Sequence, residues 1–428
     1  MKLLFTHAQS LQTSEGSATV AADDFLGVQD EKILFVGALP ADFTPDRTID
    51  CHGGLLIPGF VNAHTHSPLC LLRGRGEDRC LQDWLSSIVW PFEAKHTYES
   101  CYWGTLLNAA ESIRCGTTCL NDMYIHSDAV AAALDDCGLR ALVTATVTDE
   151  LLSQEPDRLQ EIAALERRYR GHPRLHIGVA PHAVYTCSDE TLRRVAQLCG
   201  STGMPVHIHV SETCREVETC AAHTGGKTPL QYLDSFGLVH SQSLLAHCTH
   251  LTKEEIRLLA DRGACAVHCP RSNLKLGSGI ADVRRFLEAG ARVALGTDSS
   301  ASNNNQDVWE ELRFAALLQK GVHGDPTLMP IRECLSMAFH APLASMGFPE
   351  GGVLAPGAPA DLVLLDTQNA AWLPSANPLA DLIYAAPTGS VVLTMVAGRV
   401  LYENGTYLSI DMDRLRFAID RILRQFGL

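Results

Sequence analysis

The sequence predicts an α/β protein: a (β/α)8 barrel of the TIM type with a small β-sandwich domain built from both chain ends. Three observations indicate this fold. Eight apolar strands alternate with helices in the middle of the chain, the two ends are rich in strands, and polar residues follow the middle strands. Strands that alternate with helices are typical of a parallel sheet, and 428 residues are enough for a barrel with a second domain.

The strand-rich ends flank the alternating region. Residues 1–57 contain KLLFTHAQSLQT, FLGVQ and KILFVGAL, and residues 351–428 contain ADLVLLDT and SVVLTMVAGRVLYENG before a final amphipathic helix. Because chain termini commonly lie close together, we expect the two ends to pair into one composite β-sandwich domain. Residues 58–350 are then expected to form the catalytic barrel.

Each predicted barrel strand is mostly apolar and ends in polar residues. In chain order the strands are LLIPGFVNAHTH, GTTCLNDMY, LRALVTATV, LHIGVAPHAVY, PVHIHVSE, SLLAHCTH, CAVHCPRSN and RVALGTDSS. Helical segments such as DETLRRVAQLCGSTG and TKEEIRLLADRG follow them. In a barrel of this kind the carboxyl ends of all the strands meet at one mouth, where the chemistry takes place.

Composition argues against several classes of function. A net charge of −15, with no cluster of Lys and Arg, argues against binding to nucleic acid, which requires a basic surface. No apolar run is long enough to span a membrane, and the first residues, MKLLFTHAQSLQT, do not resemble a signal peptide. Fifteen cysteines without a CxxC pair indicate reduced thiols rather than a disulfide framework. We therefore expect a cytoplasmic protein.

Histidines mark the predicted strand ends. His64 and His66 lie two residues apart at the end of the first strand, on one face, so that both can bind the same metal ion. Alone, the pair is equally well explained as polar residues leaving a strand. Further polar candidates at later strand ends are His182, His207, His209, Glu212, His247, His250, His268, Asn273 and Asp298.

We expect several of these residues to converge on one divalent metal ion. A single histidine at a strand end is usually an ordinary hydrogen-bonded residue of the surface or the core. Many histidines crowded into one mouth, however, require a metal ion or substrate between them. Three nitrogens and one oxygen are available from His64, His66, His209 and Asp298. An open position would take water, whose pKa the metal lowers. Imidazole-rich sites favour Zn²⁺, with Fe²⁺ and Mn²⁺ as alternatives.

Spacing leaves open which histidine of the fifth strand binds the metal, because His207 and His209 share a face. Glu212, three residues after His209, favours His209, since it places a carboxylate beside the water. Glu212 is then the expected proton carrier from water to a ring nitrogen. His247 is placed to orient the nucleophile, and Asp298 to collect its proton.

The motifs at strands one, five, six and eight resemble those of the amidohydrolase superfamily: PGFVNAHTH, HIHVSE, LLAHCTH and LGTDSSASNNN. More narrowly, HSPLCLLRGRGEDRCLQDWLSSIVWPFE, NDMYIH, APHAVYTCS and SNLKLGSGIADV are similar to the 5-methylthioadenosine/S-adenosylhomocysteine deaminases. The resemblance covers the whole chain and implies a barrel with a split β-domain that forms homo-oligomers. It also implies hydrolytic deamination of a small-molecule adenine nucleoside to the inosine analogue and ammonia.

The resemblance also assigns residues. It implies a mononuclear metal site, since no lysine ends the fourth strand, with the ligands His64, His66, His209 and Asp298. Proton transfer falls on Glu212 and His247. Glu93, which closes WPFE, matches a carboxylate that holds the ribose hydroxyls, and His182 matches a substrate-contacting histidine.

One departure from the family pattern bears on the substrate. Relatives that accept S-adenosylhomocysteine carry an arginine just after the third strand, where this sequence has Ala145. Arg158 is the candidate for a second such arginine. The departure favours the smaller, uncharged 5′-groups of 5-methylthioadenosine, 5-deoxyadenosine and adenosine over S-adenosylhomocysteine.

Two alternative functions remain. The first is a deaminase or chlorohydrolase of another aminated N-heterocycle, such as guanine, a triazine or an aminopyrimidine. The second is a non-catalytic barrel relative, which the complete set of metal-binding and proton-transfer candidates disfavours. The H-x-E and P-C-x-x-C signature of the nucleic-acid and free-cytidine zinc deaminases is absent from the sequence.

Overall fold

The computed structural model describes residues 1–14, 17–154 and 156–428. The strands are β1 (Lys2–Ser14), β2 (Ser17–Gln29), β3 (Lys32–Gly37), β4 (Arg47–Asp50), β5 (Leu55–Pro58), β6 (Phe60–Thr65), β7 (Thr117–Tyr124), β8 (Arg140–Val147), β9 (Leu175–Pro181), β10 (Val206–Val210), β11 (Ser243–His247), β12 (Cys265–His268), β13 (Arg292–Leu295), β14 (Leu362–Leu365), β15 (Val391–Val396), β16 (Arg399–Glu403) and β17 (Thr406–Tyr407).

The α-helices are α1 (Leu81–Trp84), α2 (Trp90–Glu93), α3 (Tyr98–Arg114), α4 (Ser127–Cys137), α5 (Asp149–Leu152), α6 (Arg158–Tyr169), α7 (Asp189–Thr202), α8 (Cys214–Thr224), α9 (Pro229–Asp234), α10 (Lys253–Arg262), α11 (Pro270–Lys275), α12 (Val283–Glu288), α13 (Val308–His323), α14 (Ile331–Phe339), α15 (Pro378–Tyr384) and α16 (Met412–Phe426). Three 3-10 segments cover Ser67–Leu72, Ala370–Trp372 and Thr388–Ser390, and Leu85–Val89 is π-helical. These counts of helices refer to the residues that the structure describes.

Within the described residues, eight strands from β6 to β13 form a parallel sheet in chain order. They correspond one to one to the eight predicted strands, so the predicted barrel is confirmed. Strands such as β7 and β8 are buried along their whole length. This is expected of parallel strands that face the barrel interior on one side and helices on the other.

Main-chain and side-chain hydrogen bonds close the barrel between its first and last strands. The Asp298 N–H donates to the carbonyl of His64 at 2.9 Å. The Asn62 side chain accepts from the Thr297 N–H at 3.0 Å and donates to the Thr297 hydroxyl at 2.8 Å. The end of β6 is therefore held against the loop that follows β13 by an amide side chain and one main-chain bond.

Alternation along β8 decides which residues can reach the barrel interior. Leu142 belongs to the interior cluster, whereas Val143 and Ala145 belong to the layer between strands and helices. Because strand side chains alternate faces, Ala145 points away from the barrel interior. The position at which the sequence suggested a missing arginine is therefore packed against helices, and the neighbouring Thr146 lies on the other face.

Strands from both chain ends form the second sheet. In the part of the chain that the structure describes, it has nine strands in the order β17-β16-β15-β14-β5-β1-β2-β3, with β4 paired to β1. The ends meet at the antiparallel pair of β5 and β14, where Pro58 lies opposite Leu362. Apolar residues of both ends share one core, including Phe5, Leu26, Leu364 and Met395. The predicted small β-domain is confirmed, while the domain boundaries at 57/58 and 350/351 stay predictions.

Threonine caps begin several helices around the barrel. Thr97, Thr228 and Thr252 each accept a hydrogen bond from the third residue of their helix, whose side chain bonds back to the cap. This reciprocal capping box satisfies N–H groups that the first helical turn leaves unpaired. No helix among the described residues is long and apolar enough to cross a membrane.

A buried ion pair joins the barrel to the β-domain. Arg140, the first residue of β8, donates to both carboxylate oxygens of Asp361 at 2.6 and 3.1 Å. The guanidinium also donates to the carbonyl of Pro173 at 2.8 Å, and Asp361 accepts from the N–H of Ala397 at 2.7 Å. The two side chains are 7% and 9% exposed, so each charge depends on the other.

We expect the substitution Asp361→Ala to lower the free energy of unfolding by about 3–5 kcal/mol, because it leaves the Arg140 guanidinium buried without its counter-ion. Denaturant unfolding followed by circular dichroism measures this. Arg416→Ala is the control, since its partner Asp413 is 96% exposed, and it should leave stability near that of the wild type. Equal effects of the two substitutions would contradict the prediction.

Candidate metal and catalytic site

A cavity of about 1310 Å³ opens where the barrel strands end. Its walls include eight of the nine predicted site residues: His66, Glu93, Arg158, His182, His209, Glu212, His247 and Asp298. The ninth, His64, is fully buried beneath them, with its ring centroid 4.8 Å from that of His66. The cavity is larger than the roughly 300–1,000 Å³ typical of small-molecule sites. The structure therefore brings all the predicted residues together at one mouth.

Main-chain carbonyls fix the protonation of two histidines. His66 Nδ1 donates to the carbonyl of Met123 and His209 Nδ1 donates to the carbonyl of His182, both at 2.7 Å. Burial lowers the pKa of both rings, so each ring is neutral and carries its single proton on Nδ1. The Nε2 atom of each ring is consequently a bare lone pair, as a metal ligand requires.

His207 fixes the third histidine. Its Nδ1 donates to the carbonyl of Leu244 at 2.9 Å, so its Nε2 accepts the proton of His64 Nδ1 at 2.7 Å. His64 Nε2 then also carries a lone pair, and it has no hydrogen-bond partner among the described residues. Since both nitrogens of His207 are engaged, the geometry favours His209 as the metal-facing histidine of β10.

The bare nitrogens face one another around a common point. His66 Nε2 lies 3.3 Å from His209 Nε2, and Asp298 Oδ1 lies 3.5 Å from His64 Nε2 and 3.4 Å from His66 Nε2. Two lone pairs at this distance repel unless a cation lies between them. Three nitrogens with one carboxylate oxygen are a donor set that suits a divalent ion such as Zn²⁺. The residues present therefore fit a metal ion.

Hydrogen bonds hold Asp298 in its ionised form. Its Oδ2 accepts from the hydroxyls of Ser272 at 2.6 Å and Ser302 at 2.9 Å, and its Oδ1 accepts from the N–H of Ser299 at 2.8 Å. Hydrogen bonds to the charged form of a carboxyl group favour its ionisation. Asp298 has φ +60° and His247 has φ +71°, a left-handed conformation that costs a non-glycine residue about 1–3 kcal/mol. Strained backbone at the ends of two strands is therefore maintained by the surrounding bonds.

Glu212 and His247 form an acid–base pair beside this cluster. Glu212 Oε1 accepts from the Ser278 hydroxyl at 3.0 Å, and its Oε2 lies 3.7 Å from His247 Nε2. Burial raises the pKa of Glu212. Burial acts to lower the pKa of His247, but the carboxylates of Glu212 and Asp298 outweigh it and raise the pKa. His247 Nδ1 donates to Asn273 Oδ1 at 2.8 Å, which directs Nε2 toward Glu212.

Glu93 and His182 also line the cavity. Glu93 is the last residue of α2, and burial raises its pKa to about 7. His182 Nδ1 donates to the hydroxyl of Thr186 at 3.1 Å. That bond leaves Nε2 of His182 as an acceptor. The cavity thus presents a carboxylate and an imidazole acceptor to a ligand, and the His182 ring lies 4.8 Å from the ring of His209.

Arg158 lines the cavity, but much of its guanidinium is engaged. Nε donates to the carbonyl of Thr146 at 3.1 Å and Nη2 to the carbonyl of Ile125 at 2.5 Å, while Nη1 lies 3.4 Å from Glu161. The side chain ties together the ends of β7 and β8. After Thr146 of β8, the cavity is lined by Thr148 and by Asp149, Glu150 and Leu151 of α5.

Several cavity residues were not predicted from the sequence. Trp84 Nε1, His96 Nε2 and Tyr124 Oη are buried and have no hydrogen-bond partner among the described residues. All three residues line the cavity near Glu93. Trp84 lies in the segment HSPLCLLRGRGEDRCLQDWLSSIVWPFE and Tyr124 in NDMYIH, both of which resemble the deaminase family, so the sequence pointed to these two regions. His96 follows WPFE and belongs to no such segment.

Comparison with known proteins gives consistent matches. The sequence model of the Amidohydrolase family matches residues 55–401. Two proteins named 5-methylthioadenosine/S-adenosylhomocysteine deaminase, from Pelotomaculum thermopropionicum and Moorella thermoacetica, are 38% and 39% identical. The alignments cover 97% and 93% of this chain, and 96% and 94% of those relatives. The structure of an adenosine deaminase from Xanthomonas campestris with bound zinc is 36% identical, with a TM-score of 0.94 over 99% of this chain and 98% of that one.

We expect His207→Phe to weaken the binding of a divalent metal ion about 10- to 100-fold, because the substitution removes the acceptor that holds the proton of His64 on Nδ1. Competition with a chromophoric chelator measures the affinity. His268→Phe is the matched control: His268 is equally buried at the end of β12, and its ring nitrogens have no hydrogen-bond partner among the described residues. A loss of affinity in the control as large as in His207→Phe would contradict this account.

Proposed function

We propose that this chain, which belongs to the amidohydrolase family, hydrolytically deaminates the adenine base of a small nucleoside, giving the inosine analogue and ammonia. One observation carries the proposal. The Glu212 carboxylate and the His247 imidazole lie 3.7 Å apart beside a cluster of three bare histidine nitrogens and Asp298. A metal site with an adjacent acid–base pair is the arrangement that hydrolysis of an amino-substituted ring requires.

The family is metal-dependent, and His64, His66 and Asp298 form a site that can hold an ion. We propose one zinc ion per chain, with His209 as the remaining ligand, because three imidazole nitrogens and one carboxylate oxygen favour zinc. When bound, the ion supplies Lewis-acid chemistry that makes a water nucleophilic near neutral pH.

The chain's own residues move the protons. Water adds to C6 of the adenine ring, and the Glu212 carboxylate carries a proton from the water to N1 of the ring. The raised pKa of Glu212 makes it a stronger base than an exposed glutamate and therefore suits both steps. His247 and the ionised Asp298 assist removal of the second water proton. That second proton passes to the amino group, the C6–N bond breaks as the C6=O bond forms, and the group leaves as ammonia.

Glu93 and His182 are proposed to bind the nucleoside. A carboxylate accepts hydrogen bonds from two adjacent hydroxyls, so Glu93 suits the ribose diol. For the 5′-substituent we propose a preference for the uncharged groups of 5-methylthioadenosine, 5-deoxyadenosine and adenosine over S-adenosylhomocysteine. The support is that Arg158 donates to two carbonyls and faces Glu161, while Thr148 and the acidic Asp149 and Glu150 line the cavity after β8. A homo-oligomer and a cytoplasmic location stay predictions.

The test of this proposal is a substrate panel with zinc-loaded protein. Loss of adenine absorbance and release of ammonia are expected with 5-methylthioadenosine, 5-deoxyadenosine and adenosine, and a lower kcat/KM with S-adenosylhomocysteine. Guanine and an aminotriazine are assayed in parallel. Turnover of either heterocycle, with no turnover of any adenine nucleoside, would overturn the proposed substrate class.

Glu93→Gln should lower kcat/KM for adenosine about 10- to 100-fold, because hydrogen bonds to a charged group contribute about 1.5–3 kcal/mol. Free adenine, which has no ribose, is the control substrate, and any activity on it should change little. The comparison is made by steady-state assays of wild type and variant on both compounds. A proportional loss on both compounds would exclude ribose recognition by Glu93.

The KM for adenosine should rise as the pH falls through about 7, the pKa to which burial raises Glu93. Above that pH the ionised carboxylate accepts from both ribose hydroxyls, and below it the protonated group loses that capacity. Steady-state titration of KM against pH measures this. The Glu93→Gln variant has no titrating carboxyl at this position, so the rise should be missing from its profile.

A further inference from the structure

The loop that carries Glu212 is held by a second glutamate outside the cavity. Glu216 Oε1 accepts from the N–H of Ser211 at 2.9 Å, and Oε2 accepts from the N–H of Glu212 at 2.8 Å. Glu216 is 5% exposed and does not line the cavity. A single carboxylate therefore binds two successive main-chain N–H groups, one of which belongs to Glu212 itself.

This arrangement differs from the usual role of a glutamate in the first turn of a helix. Glu216 is the third residue of α8, whose cap Thr213 accepts from the Glu216 N–H. A glutamate at this position ordinarily bonds back to the N–H of the cap residue. Glu255 does so in α10, where its Oε2 accepts from the N–H of Thr252 at 2.8 Å. Glu216 instead reaches past its cap to the residues after β10.

The loop needs such a restraint because of its backbone. Ser211 has φ +50°, a left-handed conformation that a non-glycine residue rarely adopts. The Ser211 carbonyl accepts from the N–H of His250 at 3.0 Å, and the Val210 carbonyl accepts from the N–H of Cys248 at 3.0 Å. The turn after β10 is thereby tied to the turn after β11 that begins at His247. Glu216 holds the same turn from α8, by accepting from the N–H groups of Ser211 and Glu212.

We propose that Glu216 is a positioning residue that fixes the Glu212 carboxylate opposite His247. The inference rests on the proposed proton-transfer role of Glu212. Glu216 accepts a hydrogen bond from the main-chain N–H of Glu212. The Ser278 hydroxyl donates to Oε1 of the Glu212 side chain at 3.0 Å. Together the two contacts leave Oε2 of Glu212 directed at His247. A proton carrier that must reach both the water and a ring nitrogen depends on this placement.

The experiment compares Glu216→Gln with Glu255→Gln. A glutamine offers one oxygen and one NH₂ group, so either orientation of the amide sets NH₂ against one of the two N–H groups. We expect Glu216→Gln to lower kcat for adenosine about 10- to 100-fold with little change in KM or zinc content. Glu255→Gln removes a carboxylate of similar burial at the same helix position, and its kcat should match that of the wild type.

Thermal melting and zinc analysis of each variant separate misplacement of Glu212 from loss of fold. Glu216→Asp keeps the charge but is too short to span both N–H groups, and it provides a second variant with an expected decrease in kcat should Glu216→Gln fail to fold. A crystal structure of the folded variant should show the 3.7 Å approach of Glu212 to His247 lost.

The inference is overturned if Glu216→Gln has the kcat of the Glu255→Gln control, or if Glu212 keeps its position in the crystal structure. A parallel fall in kcat and zinc content would also overturn it, because Glu216 would then support the metal site instead. Failure of the wild type to deaminate any adenine nucleoside is a different outcome, which refutes the proposed function.

Discussion

The position of one proton on each metal-facing histidine is the constraint on which the rest of the site depends. Nδ1 of His66 and Nδ1 of His209 each donate a hydrogen bond to a main-chain carbonyl. His64 donates a hydrogen bond to His207, which in turn donates one to a carbonyl. Those carbonyls belong to Met123, His182 and Leu244, each on or just after the strand beside its histidine. The register of the barrel therefore sets both where the nitrogens lie and which of them are lone pairs. A slip of one residue would turn the histidines to the other face and remove their acceptors together.

Burial acts on every titratable group at the mouth, and the balance of burial against neighbouring groups decides each outcome. Burial lowers the pKa of His64 to about 4, against the effect of the Asp298 carboxylate, and burial also lowers the pKa of His209, so both rings stay neutral. Asp298 stays ionised because two serine hydroxyls and a main-chain N–H donate to it, whereas the pKa of His247, which burial acts to lower, is raised by the carboxylates of Glu212 and Asp298. Neutral imidazoles, an ionised carboxylate and an acid–base pair thus coexist within a few ångströms. Environments that push neighbouring groups in different directions are how one fold assigns acid and base roles near neutral pH.

Much of the fold and of the candidate site could be predicted from the sequence, because both follow from periodicity. Eight apolar runs with polar ends gave the barrel, and the same alternation placed His64 and His66 on one face. Periodicity could not choose between His207 and His209, because the choice depends on a carbonyl contributed by β11. Nor could it set the phase of β8, where Ala145 faces the helices and Thr146 the cavity. Contacts between distant segments, such as that of His207 with His64, have no local signal.

The seam between β6 and β13 has a consequence for biosynthesis. His64 stands at the first barrel strand and Asp298 just after the last, and the same few bonds that join them also close the barrel. A chain still emerging from the ribosome holds its histidines long before it holds the aspartate. Such a fragment has an open sheet and only part of the donor set, so it can hold an ion only weakly. Tight binding of a metal ion at this site would therefore require the whole barrel to be complete, because only the closed barrel brings the full donor set together.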